Sequence, residues 1–294
     1  MRFIVAGMLS GGMLSIASIG FTFFWGISGI INLSQGAFVL LGSYCTWWLV
    51  NTLGFPLLAA AVVSIGFAFL VGYSLQRSLI SKVVTSPSYP SLLLTFGIGL
   101  GITSLQSLLF GADYRSIPSS FGTSGILAFG SLISLSRLLA TALAIALIFA
   151  ITSTLNRSRP GLALKAIANS KKIAQLSGLP VQHYLGIASG IATALASFSG
   201  IIIGISQAFS SSQADQLTLL ISVSAVVGKL GNLWGALFAS MAIGIADGIV
   251  SQYLPQGLLD VFALGILVIV LSVRSRTTIA DFIRPRLANG QAVD

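Results

Sequence analysis

The stretch from Asn156 to Val181, NRSRPGLALKAIANSKKIAQLSGLPV, decides how the rest of the chain is read. It is a cationic, helix-shaped island in an oily sequence. Only 7% of the 294 residues are charged, against about 25% in soluble domains, yet Arg157, Arg159, Lys165, Lys171 and Lys172 all lie here. Ser158 can cap a helix, Pro160 suits a first turn, and Gly178 followed by Pro180 supplies a stop. At about 100° per residue, Leu162, Ala163, Ala166, Ile167, Ile173, Ala174 and Leu176 gather on one arc. Lys165, Lys171, Lys172 and Gln175 face away, and Leu164 falls on the polar side. The expectation is one amphipathic helix outside the bilayer, either resting on anionic lipid or docking a cytosolic partner.

Working outward, 55% of the residues are hydrophobic, mean hydropathy is +0.98, and there are 32 glycines and no glutamate. That leaves too little polar surface to cover a soluble globule of this size, so the solvent is lipid. The net charge of +9 does not point to nucleic acid, because the cations cluster between apolar runs, the pattern that sets membrane topology. The single cysteine, Cys45, excludes an intramolecular disulfide and any cysteine zinc cluster. Arg2 precedes a long apolar stretch without a small-residue cleavage site, so the first span is expected to be retained.

At about 20 apolar residues per crossing, candidate spans are Phe3 to Trp25, Phe38 to Thr52, Leu57 to Leu75, Ser91 to Phe110, Leu138 to Leu155, Gln182 to Ile205, Thr218 to Val227, Ala236 to Tyr253 and Leu258 to Val273. The fold class is therefore an all-α polytopic membrane protein with about eight to nine transmembrane or re-entrant helices. Two runs, Gly26 to Gly36 and Gly228 to Gly235, place glycines and amide or hydroxyl side chains between apolar stretches. Irregular backbone at membrane depth must line a cavity or be satisfied by protein, which makes both runs candidate pathway walls or loop ends. Arg77 and Lys82, the island, and Arg274, Arg276, Arg284 and Arg286 carry the cation excess and are cytoplasmic by the positive-inside rule. The N-terminus then lies outside, or the Gly26 to Gly36 stretch is re-entrant.

The string Pro160 to Leu179 resembles the cytoplasmic coupling segment of branched-chain amino acid (Liv-type) permeases of bacterial ABC importers. Gly29-Ile-Ile-Asn-Leu-Ser-Gln-Gly-Ala-Phe-Val-Leu-Leu-Gly-Ser-Tyr44, Leu94 through Asp113, and Val227 to Ala236 with Gly244 to Gly248 agree in the same order. The matches cover most of a transmembrane permease domain at 1–273, which contains the coupling segment at 156–181; a basic tail follows at 274–294. Two departures stand out. The family commonly has Phe-Ala-His-Gly and an acid where this chain has Leu33-Ser-Gln-Gly-Ala37, and an acidic pair where it has Asn169-Ser170.

The resemblance implies a permease subunit of the bacterial inner membrane with a cytoplasmic C-terminus. It implies two permease subunits, paralogous or identical, forming the pathway, cytosolic ATPases docked on the coupling segment, and an extracytoplasmic solute-binding protein. It implies an amino acid or related small polar solute as cargo. The lost imidazole and carboxylate leave a sugar or nucleoside open, and an ATP-independent carrier is the reading outside the class. The chain has no Gly-x-x-x-x-Gly-Lys-Ser/Thr phosphate loop, so it is not an enzyme and ATP is used by its partners; no bound cofactor or metal is expected.

The residues to test follow from these readings. Asn32, Ser34, Gln35 and Thr95 are candidate pathway groups, with bracing of neighbouring backbone as the alternative for the three at the break. Asp247 is a carboxylate inside an apolar span, read as a structural or gating group with Lys229 or a backbone amide as mate, or as a solute contact. Asn232 joins Lys229 as gating or structural. Gly161, Leu162, Lys165, Ala166, Ile167, Asn169, Ala174 and Gly178 are the candidate ATPase-coupling residues. His183 reads as interfacial, and Gly97-Ile-Gly-Leu-Gly101 as a close-packing stripe rather than a nucleotide loop. Gly7, Ser10, Gly11, Ala17 and Ser18 recur at constant offset as Gly186, Ser189, Gly190, Ala196 and Ser197, a faint internal duplication that would pair the first and sixth spans.

Overall fold

A computed structural model describes residues 2–83, 89–119, 125–128, 131–253 and residue 265. The helices are α1 (Arg2–Ser28), α2 (Gln35–Asn51), α3 (Leu57–Leu75), α4 (Tyr89–Phe110), α5 (Leu135–Arg157), α6 (Arg159–Asn169), α7 (Lys171–Leu176), α8 (Val181–Ser206), α9 (Ala214–Val227) and α10 (Leu233–Tyr253). α3 runs on through a π turn, Gln76–Ile80, and a last turn, Ser81–Val83. An antiparallel hairpin, β1 (Gly125–Ala128) with β2 (Ser131–Ser134), precedes α5, with Ile126 opposite Ile133. Four-residue strands are too short to show an alternation in sequence, so the all-α expectation holds with this one addition. The ninth predicted span, Leu258 to Val273, and the basic tail lie outside the described residues, Gly265 excepted.

Among the described residues, five stretches are long and apolar enough to cross a membrane, and burial sorts them into two kinds. Gly7–Ser28 and Val181–Ser206 are 89% and 78% buried, whereas Leu57–Ile80, Pro90–Phe110 and Arg137–Arg157 are 22%, 17% and 17% buried. Two helices thus form the centre and three the rim. The rim turns Leu58, Leu108 and Phe149 outward, as hydrocarbon solvent favours and water does not. α9, with 14 residues, is about 21 Å long, short of the roughly 30 Å hydrocarbon core.

Small residues let the backbones meet. A Cβ on Gly11 of α1 would lie 2.3 Å from the Ser240 carbonyl oxygen of α10. α3 buries Ala60, Ser64, Ala68 and Gly72 at helical spacing against α8. There Thr193 Oγ1 donates to the Ala68 carbonyl at 2.9 Å and Ser189 Oγ to that of Gly72 at 3.1 Å. Between helices in lipid, such packing and hydroxyl bonds supply the cohesion that water would otherwise drive.

The faint duplication has a structural counterpart. The offset that carries Gly7 to Gly186 also carries Gln35, the first residue of α2, to Ala214, the first of α9. α1 and α8 cross at the centre; α1 packs along α10 as α8 packs along α3. α1 ends beside the island and α8 begins beside it, so α1-α2-α3 and α8-α9-α10 are two copies of inverted orientation.

Candidate functional site

The island folds as predicted at its ends and differently in its middle. Ser158 Oγ accepts from the Gly161 N–H at 3.0 Å, and Gly178, at φ +80°, closes α7 with the Leu179 N–H on the Ala174 carbonyl at 3.1 Å. The expected single helix is two. Ser170 adopts extended backbone, φ −159°, and accepts from the Ile173 N–H, so it ends α6 and caps α7. A serine that caps locally competes with helix continuation.

The break re-aims the side chains. Ala163, Leu164, Ile167 and Ala174 are buried, the last three in one apolar cluster with Phe23, Phe24 and Ile27 of α1. Leu164, expected on the polar side, therefore points inward, while Leu162, Ile173 and Leu176, expected on the apolar arc, are exposed at 54%, 66% and 81%. Lys165, Ala166, Asn169 and Gly178 are exposed with them. Gly161 is buried at the bend into α6, where a Cβ would sit 2.1 Å from the Thr154 carbonyl oxygen. Lys165 donates to Asn156 Oδ1, and Lys171 donates to the Ser28 carbonyl, the last of α1. That bond joins the island to the next segment, the break between α1 and α2.

Gly29, at φ +66°, turns the chain out of α1, and the unwound residues are satisfied by protein. The Leu33 N–H donates to Thr95 Oγ1 at 3.2 Å, and that hydroxyl lies 3.2 Å from the Ile31 carbonyl oxygen and 3.1 Å from that of Leu92. Asn32 Oδ1 accepts from the Ser34 N–H and hydroxyl. Gln35 Nε2 donates to the carbonyls of Ala17 in α1 and Ala192 in α8, at 3.3 and 3.2 Å. The four candidate pathway residues are fully or almost fully buried and brace the break. Beside them a groove of 260 Å³ opens between Leu33, Phe96 and the α9 face made by Asp215, Thr218, Leu219, Ser222 and Val223. Ser222 Oγ is buried there without a partner. The sequence reading missed this α9 face; the repeat offset from Gln35 to Ala214 was the signal that paired it with the first break.

Asp247 does not line this groove but faces the other side of α9, where Gln216, Leu217 and Leu220 alternate with the groove's Asp215, Thr218 and Leu219. Gly244 packs on Gly7 near the start of α1, so Asp247 sits toward the end of the bundle opposite the island. There it lines a cavity of 560 Å³ with Tyr114, Gln207, Gln213 and Gln216. Asn232 caps α10 by accepting from the Gly235 N–H at 3.2 Å, and Lys229, exposed at φ +70°, is in the preceding turn. Fourteen residues of helix separate Leu233 from Asp247, about 21 Å of rise, so Lys229, one of the two mates considered for Asp247, is out of reach. Gly231 of this turn instead shares a 180 Å³ cavity with Gly26 of α1 and Lys165 and Ala168 of α6. Of the stripe read as close-packing, Gly99 packs on Ser34, whereas Gly97 and Gly101 face outward with nothing within 4 Å of where a Cβ would stand. His183 is exposed at the start of α8, its Nδ1 2.9 Å from the Tyr73 hydroxyl.

Three-helix units running in opposite directions, broken at α1–α2 and joined to a two-helix basic island, give an integral membrane protein of the kind built from inverted repeats. The family described as branched-chain amino acid transport system / permease component matches residues 3–271, and the chain belongs to that family. It is 26% identical over 283 residues to the high-affinity branched-chain amino acid transport system permease protein LivH of Escherichia coli K12, covering 91% of each chain. It is 26% identical over 286 residues to the corresponding protein BraD of Pseudomonas aeruginosa, covering 92% of each. Among solved structures, PsaBC from Streptococcus pneumoniae in complex with Fab aligns at TM-score 0.48 and 12% identity, over 92% of this chain and 91% of that one. Members of the family are permease subunits of transport systems, and this chain is one.

Proposed function

We propose that this permease conducts aliphatic amino acids inward as one of two membrane subunits, driven by cytosolic ATPases docked on α6 and α7. The observation that carries the reading is the bond from Lys171 to the Ser28 carbonyl, which links the island to the break beside the groove. A push on Leu162, Ala166, Ile173 and Leu176, the exposed island face, passes through Lys171 to the end of α1 and from there to the wall formed by Leu33. Rigid elements moved about a short irregular hinge are a common route to alternating access.

The groove suits an aliphatic side chain against Leu33, Phe96, Leu219 and Val223, with hydroxyls at Thr218 and Ser222 and a carboxylate at Asp215 for an ammonium group. Asn32, Ser34, Gln35 and Thr95 hold that wall in place. Asp247 and its glutamines line the cavity on the other side of α9, toward the end of the bundle away from the island, where an extracytoplasmic binding protein delivers solute. The open Gly97 and Gly101 face of α4 accommodates a second permease subunit, identical or paralogous, because small residues permit close helix approach. ATP is held by the docked partners, and the basic tail lies with them on the cytoplasmic side. The test is uptake of labelled leucine and ribose into proteoliposomes carrying this chain, its ATPases and binding protein. Leucine uptake that requires ATP supports the reading; ribose uptake alone, or uptake on a proton gradient without ATP, rejects it.

A further inference from the structure

At the foot of α3 a cavity of 260 Å³, of mixed polar and apolar lining, lies apart from the groove and from the outward face of the island. Its walls include Gln76, Ser81, Lys171, Lys172, Gln175 and Gln182. The π turn at Gln76–Ile80 interrupts the α3 hydrogen-bond ladder where Gln76 turns inward, 1% exposed. Both polar atoms of its carboxamide are buried without a partner. Leaving such groups unmet costs about 1–3 kcal/mol, and single π turns concentrate at functional positions.

Beside the apolar wall of Ile30, Val181 and Leu185, the polar side chains around Gln76 favour an anion with several acceptor oxygens. Two ammonium groups border the cavity, and no aspartate or glutamate occurs in residues 76–83 or 156–205 to neutralise them. α8 begins at Val181 without a side-chain cap, and Val181 and Gln182 bring that N-terminal turn, with its positive dipole end, to the same wall. The Gln76 amide supplies a donor to a phosphoryl oxygen, and its carbonyl accepts from a hydroxyl, present on a protonated phosphate or a glycerol headgroup. The lipid-facing side of α3, with Leu70 exposed at 61%, leads down to the site.

We infer that this cavity binds a phosphate group, carried by an anionic lipid of the adjoining leaflet or by free inorganic phosphate. Because Lys171 also holds Ser28, occupancy bears on the island's tether. The test uses the full-length protein in detergent, stripped of lipid. Native mass spectrometry follows retention of phosphatidylglycerol against phosphatidylcholine, and thermal melting follows inorganic phosphate against chloride at equal ionic strength. The parent is expected to retain phosphatidylglycerol about tenfold better than phosphatidylcholine, and Gln76→Leu and Lys172→Gln to lose that preference, as removal of one charge-assisted contact predicts. Phosphate stabilisation of the parent but not the variants, without a lipid preference, assigns the site to free phosphate. A parent indifferent to both probes, or an exposed-site Lys172→Gln variant that keeps the parent's preference, overturns the inference.

Discussion

Lys171 of α7 donates its ammonium to the carbonyl of Ser28, the last residue of α1, so one charge-assisted bond spans from the island to the start of the helix break. Replacing it with Lys171→Met keeps the stem and removes the donor. Losing a charged hydrogen bond of about 1.5–3 kcal/mol is expected to lower solute moved per ATP hydrolysed by roughly tenfold or more. ATPase co-purification should be unchanged, and parallel uptake and hydrolysis assays in proteoliposomes check it.

The same bond gives a pH dependence. Burial pushes the Lys171 ammonium below the ordinary lysine value of 10.5. Between that depressed value and 10.5 the unfolded chain holds a proton the folded chain has shed, so this group's contribution to stability rises with pH in that window. Below the window the folded state carries the buried charge and its penalty. Coupling behaves oppositely, since the neutral amine holds Ser28 more weakly. Transport per ATP is expected to fall on the alkaline side before an ordinary lysine titrates, while Lys171→Arg, charged throughout, retains it; a pH series of coupling ratios decides this.

Leu162 and Leu164 are two positions apart and face opposite ways. Leu162→Asp and Ile173→Asp, both exposed, are expected to abolish ATPase co-purification while leaving membrane yield near that of the parent. Leu164→Asp buries a carboxylate against Phe23 and Phe24 and is expected to cost several kcal/mol, read as lost folded yield in detergent. Intact ATPase binding by the Leu162 and Ile173 variants would remove the docking face from this surface.

Gly161 admits no side chain, because a Cβ would meet the Thr154 carbonyl oxygen at 2.1 Å and backbone cannot step aside cheaply. Gly161→Ala is expected to destabilise by about 1–3 kcal/mol and to displace α6. A lower melting temperature with weakened ATPase binding is the measurable pair.

Ser222 and Asp215 test the groove. Ser222→Ala is expected to change the apparent KM for solute with little change in melting temperature, since its buried hydroxyl has no protein partner. Asp215→Asn removes the charge proposed to meet the solute's ammonium and is expected to raise KM by about tenfold, the scale of one charged contact. Labelled-leucine uptake across a concentration series measures both.

The sequence by itself determined the membrane class, because too few polar residues exist to cover a soluble globule, and eight of its nine apolar segments fall on helices, five of the described stretches being long enough to cross a membrane. It located the island's ends at Ser158 and Gly178, since caps act within one turn. Tertiary structure decided what depends on neighbours distant in the chain. Ser170 splits the island, so Ala163, Ile167 and Ala174 are buried as the apolar arc predicts, while Leu164 turns inward with Phe23 and Phe24 and Leu162, Ile173 and Leu176 turn out. Asn32, Ser34, Gln35 and Thr95 are polar groups of the kind a pathway needs, yet unwound backbone had to be satisfied first: Asn32 and Ser34 bond each other, while Gln35 reaches Ala17 and Ala192 and Thr95 meets Leu33 across elements. Asp247 and Lys229 read as a pair by charge alone, and the length of α10 holds them at opposite ends.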